Sequence, residues 1–239
     1  LVVCDRLAGL GAKHLVVVSR SGAGTKPRKA ALDRLTARGI RVVTVQADVA
    51  DAQALDRALD AALEELPPLR GVVHCAGILR DATIATLNAA DIRAVLRAKA
   101  LGGYNLHRYT RDIDLDFFIM FSSATTVLGN PGQANYVAAN TVLENLAAYR
   151  RSLGLPAVTF GWGPVSDTGM LASRPEVMQS LKALTGAQDL RAATAMDHMA
   201  AYARHEASNL HVFRVNFARL ARLPYVASPM YRRVLSETS

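Results

Sequence analysis

FSSATTVLGNPGQANYVAAN, residues 121–140, decides the fold. The apolar run DFFIMFS at 116–122 leads into it and is too short for a helix, so it reads as a buried strand. Gly129, Asn130, Pro131 and Gly132 are turn formers and predict a loop. Residues 134–152 read as a helix, with Val137, Leu143, Leu146 and Ala147 on its apolar face. Tyr136 and Asn140 are four residues apart and share one side of that helix. Ser123 falls at the carboxyl end of the strand, where open parallel sheets bind their ligands.

Outward from this stretch the alternation repeats. Strands are predicted at 14–19, 41–46, 71–75, 156–161 and 209–216. Helices are predicted at 1–13, 27–38, 51–65, 89–111, 176–184 and 190–204. Pro27 opens one helix and Gly39 follows its end; Pro67 and Pro68 close the next. Strands alternating with helices predict an α/β fold, a doubly wound parallel sheet with helices on both faces. The expected organisation is one domain over 1–223, with a mobile lid at 165–190 signalled by Asp167, Thr168, Gly169 and Met170. Residues 224–239, with Pro224 and Pro229, read as an exit segment. A doubly wound nucleotide-binding domain opens with a strand, a glycine-rich turn and a helix. This sequence opens within a helix, and no strand precedes Gly9 and Gly11. A first strand and its turn are therefore expected upstream of Leu1, the strand lying between 14–19 and 71–75.

Half of the 239 residues are hydrophobic, enough for a sizeable core. No apolar run approaches membrane-spanning length and no leader-like pattern opens the sequence, so a cytoplasmic protein that does not enter membranes is expected. Cys4 and Cys75 lie in apolar contexts and read as reduced core residues. The formal charge of +8 reads either as a solvated arginine-rich surface or as a match to anionic partners. The basic residues are scattered and not interleaved with aromatics, which argues against nucleic acid. His14, His107, His198, His205 and His211 form no metal-like spacing, and no metal site is expected.

Residues 121–140 closely resemble the core of the ketoreductase domains of type I polyketide synthases, a branch of the short-chain dehydrogenase/reductases with a Rossmann-like fold. The resemblance continues through HLVVVSR at 14–20, ADV at 47–49, GVVHCAGILRD at 71–81, VLRAK at 95–99 and FGWGP at 160–164. It implies NADPH-dependent reduction of a β-ketoacyl chain carried on the phosphopantetheine arm of an acyl carrier protein, among other polyketide synthase domains. It also implies that the expected upstream turn has a TGGxGxxG-like form.

Within this resemblance Tyr136 is the proton donor. A free phenol has a pKa of about 10, and a nearby ammonium should lower it; Lys99 is the matching cation. Ordinary members place the lysine four residues after the tyrosine and an asparagine on the earlier helix. Here the two are exchanged, as in polyketide ketoreductases, with Asn140 after Tyr136 and Lys99 upstream. The resemblance implies that Lys99 also binds the nicotinamide ribose, that Ser123 hydrogen-bonds the substrate carbonyl and that Asn140 holds the relay behind the lysine. Ser122 reads as structural, and His74 as packing rather than acid/base.

For the cofactor, the strand at 14–19 runs into Ser19, Arg20 and Ser21 with no carboxylate. Such a carboxylate would mark NAD, whereas an arginine suits the 2′-phosphate of NADP. By resemblance Asp48 and Val49 border the adenine, and Ala76, Gly77, Gly163 and Pro164 approach the cofactor. For the substrate, Leu79-Arg80-Asp81 keeps the last residue of a B-type Leu-Asp-Asp motif, and Pro131 and Asn135 fit the B-type PxxxN pattern. The A-type tryptophan position is Leu128, and Met170 belongs to the lid. These features imply a D-configured 3-hydroxyacyl product. The alternatives are a free-standing dehydrogenase, against which the Asn140 order argues, and a structural or cofactor-impaired ketoreductase-like fragment.

Overall fold

The computed structural model describes residues 1–172, 178–179, 182–183 and 186–220. Its strands are β1 His14–Ser19, β2 Arg41–Gln46, β3 Gly71–His74, β4 Phe117–Ser123, β5 Val158–Trp162 and β6 Asn209–Val212. The helices between them are α1 Val2–Gly9, α2 Lys26–Ala37, α3 Ala52–Leu63, α4 Ala89–Leu96, α5 Gly102–Tyr109, α6 Thr125–Leu128, α7 Ala134–Ser152, α8 Gly169–Ala172, α9 Ala192–Tyr202 and α10 Phe217–Leu220. Every strand pairing is parallel.

β4 shows why the two-residue period makes a two-sided sheet. Phe118 and Met120 face a core built with Leu55 and Leu59 of α3, Leu106 of α5, and Leu143, Leu146 and Ala147 of α7. Ile119 faces the other side, with Val158, Phe160 and Trp162 of β5 and Ala195, Met196 and Met199 of α9. Each fully buried large apolar side chain, such as Phe118 or Phe160, stabilises the fold by about 1.5–3 kcal/mol. Helices thus cover both faces, which is the doubly wound arrangement expected.

The sheet has two parts. Among the described residues β1 pairs with β2 alone, while β3, β4, β5 and β6 follow one another. Among the described residues no strand joins β1 to β3, the place where the sequence pattern lacks one. Val16 and Val18 of β1 still pack against the core that holds Val72 of β3.

Local signals explain most element ends. Asp51 caps α3 by accepting the Ala54 N–H at 3.0 Å, and Asn88 caps α4 by accepting that of Asp91 at 2.9 Å. At the end of α2 Gly39 takes φ +80, a conformation that disfavours any Cβ. The far end of α7 is held by Arg150, which is fully buried. Its guanidinium lies 3.9 Å from the Phe118 ring centroid, its Nε donates to the Pro156 carbonyl at 3.2 Å, and its Nη1 lies 3.0 Å from His107 Nδ1.

Several expectations are corrected. The helix expected at 89–111 is α4 and α5 joined by a π turn, Arg97–Leu101, centred on Lys99. β3 stops at His74, and Cys75 beyond it is exposed rather than part of the core; Cys4 is half-buried and both thiols are free. β6 ends at Val212, whose carbonyl takes the Gly163 N–H as it leaves β5. The short helix α6 was not expected. At the two ends of the segment expected as a lid, Val165 bridges Leu190, and Asp167 accepts the Ala192 N–H at 2.8 Å. The helix expected at 176–184 lies mostly, and the exit segment 224–239 wholly, outside the described residues.

Candidate active site

Lys99 enters the site through the π turn. Its side chain is 3% exposed, and Nζ donates to the Phe121 carbonyl of β4 at 2.9 Å. A Cβ on Gly77 would stand 3.3 Å from Cγ and Cδ of Lys99, so the bare glycine backbone lets the lysine stem lie against it. Burial pulls the ammonium down to about 8.

Tyr136 lies on the first turn of α7, 8% exposed, with Lys99 Nζ 5.3 Å from its ring centroid. The expected lowering of the phenol by Lys99 is corrected. Burial pushes the phenol above its ordinary value, the Asp81 charge adds to this, and the Asn140 side chain offsets part of it. The lysine ammonium faces the ring and spends a hydrogen bond on Phe121, while the phenol has left water. Tyr136 therefore stays protonated at neutral pH, the state an acid needs. Asn140, one turn on, is fully buried; its Nδ2 donates to the Tyr136 carbonyl at 2.8 Å. Its Oδ1 is buried with no partner among the described residues.

Ser123 ends β4, buried, with Oγ 2.9 Å from Thr125 Oγ1. Ser122, which also lines the cavity, donates to Glu144 at 2.5 Å. Glu144 also takes the Thr126 hydroxyl at 2.8 Å, and that hydroxyl lies 2.9 Å from the Ser123 carbonyl. The sequence reading missed Glu144. The signal was its spacing, since 136, 140 and 144 form one stripe of α7.

The loops assigned to the substrate are knitted together. Gln133 Nε2 donates to Asp81 at 3.1 Å, Asn135 Nδ2 to the Arg80 carbonyl at 2.7 Å, and Ala82 N to the Gly132 carbonyl at 2.8 Å. Gln133 is buried and was also missed. Pro131 is exposed on the same loop, and Leu128 is buried. Met170 falls in α8, but its side chain lies outside the described residues.

At the end of β1, Ser19 Oγ donates to the Gly22 carbonyl at 2.9 Å. Arg28, from the first turn of α2, brings Nη1 within 3.1 Å of Ser19 Oγ and 3.2 Å of Ser21 Oγ. Arg20 is exposed beside them. This corner carries arginines and hydroxyls, and it fits a phosphate. Arg28 is a cation the sequence reading did not single out. At the end of β2, Asp48 accepts the Ala50 N–H at 2.9 Å and lies 3.8 Å from Arg97, while the Val49 carbonyl takes Asn105 Nδ2 at 2.8 Å.

A cavity of ≈ 350 Å³ joins Lys99, Ser123, Tyr136, Gly77, Leu128, Gly163 and Pro164. Trp162 and Met196 form apolar wall. Asn140 stands one turn behind it, and Asp81, Pro131, Asn135, Ala76, Asp48, Val49, Ser19 and Arg20 lie outside this cavity. Among the described residues no cluster could hold a metal ion, and no helix is long and apolar enough to cross a membrane.

Residues 1–167 match the family model of the KR domain. The chain is similar to polyketide synthase GfsA of Streptomyces halstedii, 46% identical over 164 residues, 69% of this chain and 2% of that protein. It is also similar to the phenolphthiocerol synthesis polyketide synthase type I Pks15/1 of Mycobacterium marinum, 41% identical over 167 residues, 70% of this chain and 8% of that one. Among solved structures it is similar to an A1-type ketoreductase, 34% identical with TM-score 0.88, over 99% of this chain and 50% of that chain. The first ketoreductase of the tylosin polyketide synthase matches at 34% identity and TM-score 0.84, over 98% of this chain and 52% of that chain. The chain thus spans a small part of these synthases and about half of the solved ketoreductase chains.

Proposed function

This chain belongs to the KR domain family, the ketoreductase domains of polyketide synthases, and from that premise we propose that it reduces a β-ketoacyl thioester on an acyl carrier protein to the D-3-hydroxyacyl thioester, with NADPH, in the cytoplasm. The observation that carries this reading is the meeting of Lys99, Ser123 and Tyr136 in one cavity, the lysine nitrogen 5.3 Å from the tyrosine ring.

When bound, NADPH supplies the hydride. The Tyr136 phenol holds the proton that the carbonyl oxygen gains, and Ser123 Oγ donates a hydrogen bond to that oxygen. Lys99, charged below about pH 8, stabilises the phenolate left behind and holds the nicotinamide ribose. Asn140, whose Oδ1 has no partner among the described residues, accepts in the relay that returns the proton. Asp48, Val49, Ala76, Gly77, Gly163 and Pro164 line the path of the cofactor. Asp81, Leu128, Pro131, Asn135 and Met170 set how the acyl chain enters. The same synthase supplies the carrier protein and the other domains as partners.

Turnover of a β-ketoacyl thioester surrogate with NADPH, followed by chiral chromatography, tests the reading. The expected product is the D-3-hydroxyacyl thioester, on the strength of Asp81, Pro131, Asn135 and the leucine at 128. A predominantly L product would align the chain with the A-type ketoreductases it is similar to and overturn the B-type assignment. Absence of reduction would overturn the enzymatic reading itself.

Cofactor choice rests on the Ser19–Arg20–Arg28 corner. A charge-assisted contact is worth about 1.5–3 kcal/mol. Arg20→Ala should therefore weaken NADPH roughly tenfold or more while NADH changes little, read as fluorescence-titration Kd values. Equal losses for both cofactors would remove Arg20 from the 2′-phosphate.

A further inference from the structure

His74 is 2% exposed at the end of β3, and its Nε2 lies 2.9 Å from the Lys99 carbonyl, across 25 residues of sequence. A carbonyl only accepts, so Nε2 carries the proton and Nδ1 does not. Burial keeps the ring neutral by pulling its pKa down to about 4, so this tautomer persists across the physiological range. The Lys99 carbonyl also takes a backbone N–H at the end of the π turn, so the imidazole adds a second donor there. A π turn carries one residue more per loop than an α-helix, and such turns are frequent at functional sites.

The packing around the ring is specific. A Cβ on Gly102 would stand 3.2 Å from His74 Cε1, and one on Gly103 would stand 3.4 Å from Cδ2. The two glycines bring the helix backbone against the imidazole just after the π turn. On the other side, Gly77 gives the Lys99 stem its berth and Phe121 takes its Nζ. Lys99 is therefore held at its tip by β4, along its stem by the β3 loop, and at its backbone by His74.

We propose that His74 is a positioning residue for ketone reduction: its Nε2–H fixes the π turn that aims Lys99 into the cavity beside Tyr136. This rests on the reading of Lys99 given above. His74 does not itself line the cavity; it acts through Lys99 and not as an acid.

The test uses His74→Phe, which keeps a ring but removes the donor, and His74→Gln, whose amide nitrogen can reach the Nε2 position. Lys99→Met is the control. His74→Phe should lower kcat at least tenfold, with the substrate KM within threefold of wild type, and His74→Gln should recover most of that loss. Loss of equal size in both variants, or kcat per folded molecule of His74→Phe within threefold of wild type, overturns the proposal. A measurement on the unmodified protein stands in if His74→Phe does not fold. Nitrogen NMR of the His74 ring should show Nε2 protonated and Nδ1 bare from pH 5 to 8, and the opposite tautomer overturns the proposal. If Lys99→Met keeps full activity, the reading of Lys99 falls instead, whatever the His74 variants do.

Discussion

Tyr136→Phe should lower turnover of a β-ketoacyl thioester by roughly 10²–10⁴-fold, the range that a positioned general acid contributes. The substitution removes one hydroxyl from a side chain that is 8% exposed and leaves the ring where it faces Lys99 Nζ. Cofactor affinity should stay within a few-fold, because the cation–ring contact and the arginine corner at Ser19 are untouched. Steady-state turnover with a parallel NADPH titration checks both halves. Activity within a few-fold of wild type would take the role of acid away from Tyr136. A matched loss of NADPH binding would mean that the hydroxyl holds the cofactor and does not chiefly move a proton. The phenol sits above its ordinary value through burial, so the acid limb of the reaction should persist well above neutrality. Any decline above about pH 8 then belongs to Lys99, which loses its charge there.

Legibility in the sequence depends on how local a pattern is. The alternation around β4 and α7 rests on side-chain period and turn formers, both local. It put Ser123 at the end of a strand and Tyr136 and Asn140 on one side of a helix, where the structure has them. Lys99 was found through resemblance, and it meets Tyr136 although 37 positions upstream because α4, the π turn and α7 pack together. The π turn itself left no mark. It differs from an α-helix by a shift in hydrogen-bond partner, and residues 97–101, RAKAL, are ordinary helix formers. The roles of His74 and Arg28 were hidden for a different reason. Each depends on a contact between elements, His74 with a carbonyl 25 residues away and Arg28 with hydroxyls at the end of the preceding strand. The direction of the Tyr136 shift was misjudged because residue identity carries the charge of a neighbour but not the loss of water around the phenol. Burial raises the phenol here, the Asp81 charge adds to it and the Asn140 side chain offsets part of it, a balance that exists only in the packed chain.

Lys99→Met should raise thermal stability at pH 7 while removing most of the activity. Burial holds the ammonium at about 8 against an ordinary 10.5, so the folded chain binds that proton less well than the unfolded chain, by about 3 kcal/mol. Between pH 8 and 10.5 the unfolded chain carries more of this proton, and stability rises with pH across that window. Below about pH 8 the whole penalty is present. Methionine has a similar unbranched reach and no charge to desolvate. Against the gain stands the lost bond from Nζ to the Phe121 carbonyl, a contact to a charged group worth about 1.5–3 kcal/mol. The net gain at pH 7 is then on the order of 1 kcal/mol, or about 2–4 °C in Tm for a chain of this size. The advantage should shrink as pH rises from 8 to 10.5, because wild-type Lys99 sheds its proton and its penalty together. Thermal melts of both proteins at pH 7 and pH 10, with turnover at pH 7, check the pair of effects. A variant less stable than wild type at pH 7 would mean that the Phe121 bond outweighs the buried charge. A variant that keeps its turnover would separate the lysine from the chemistry. If the ammonium is kept in a dry site for the phenolate that forms beside it, at a cost to the fold, then stability should rise and turnover fall in the same variant.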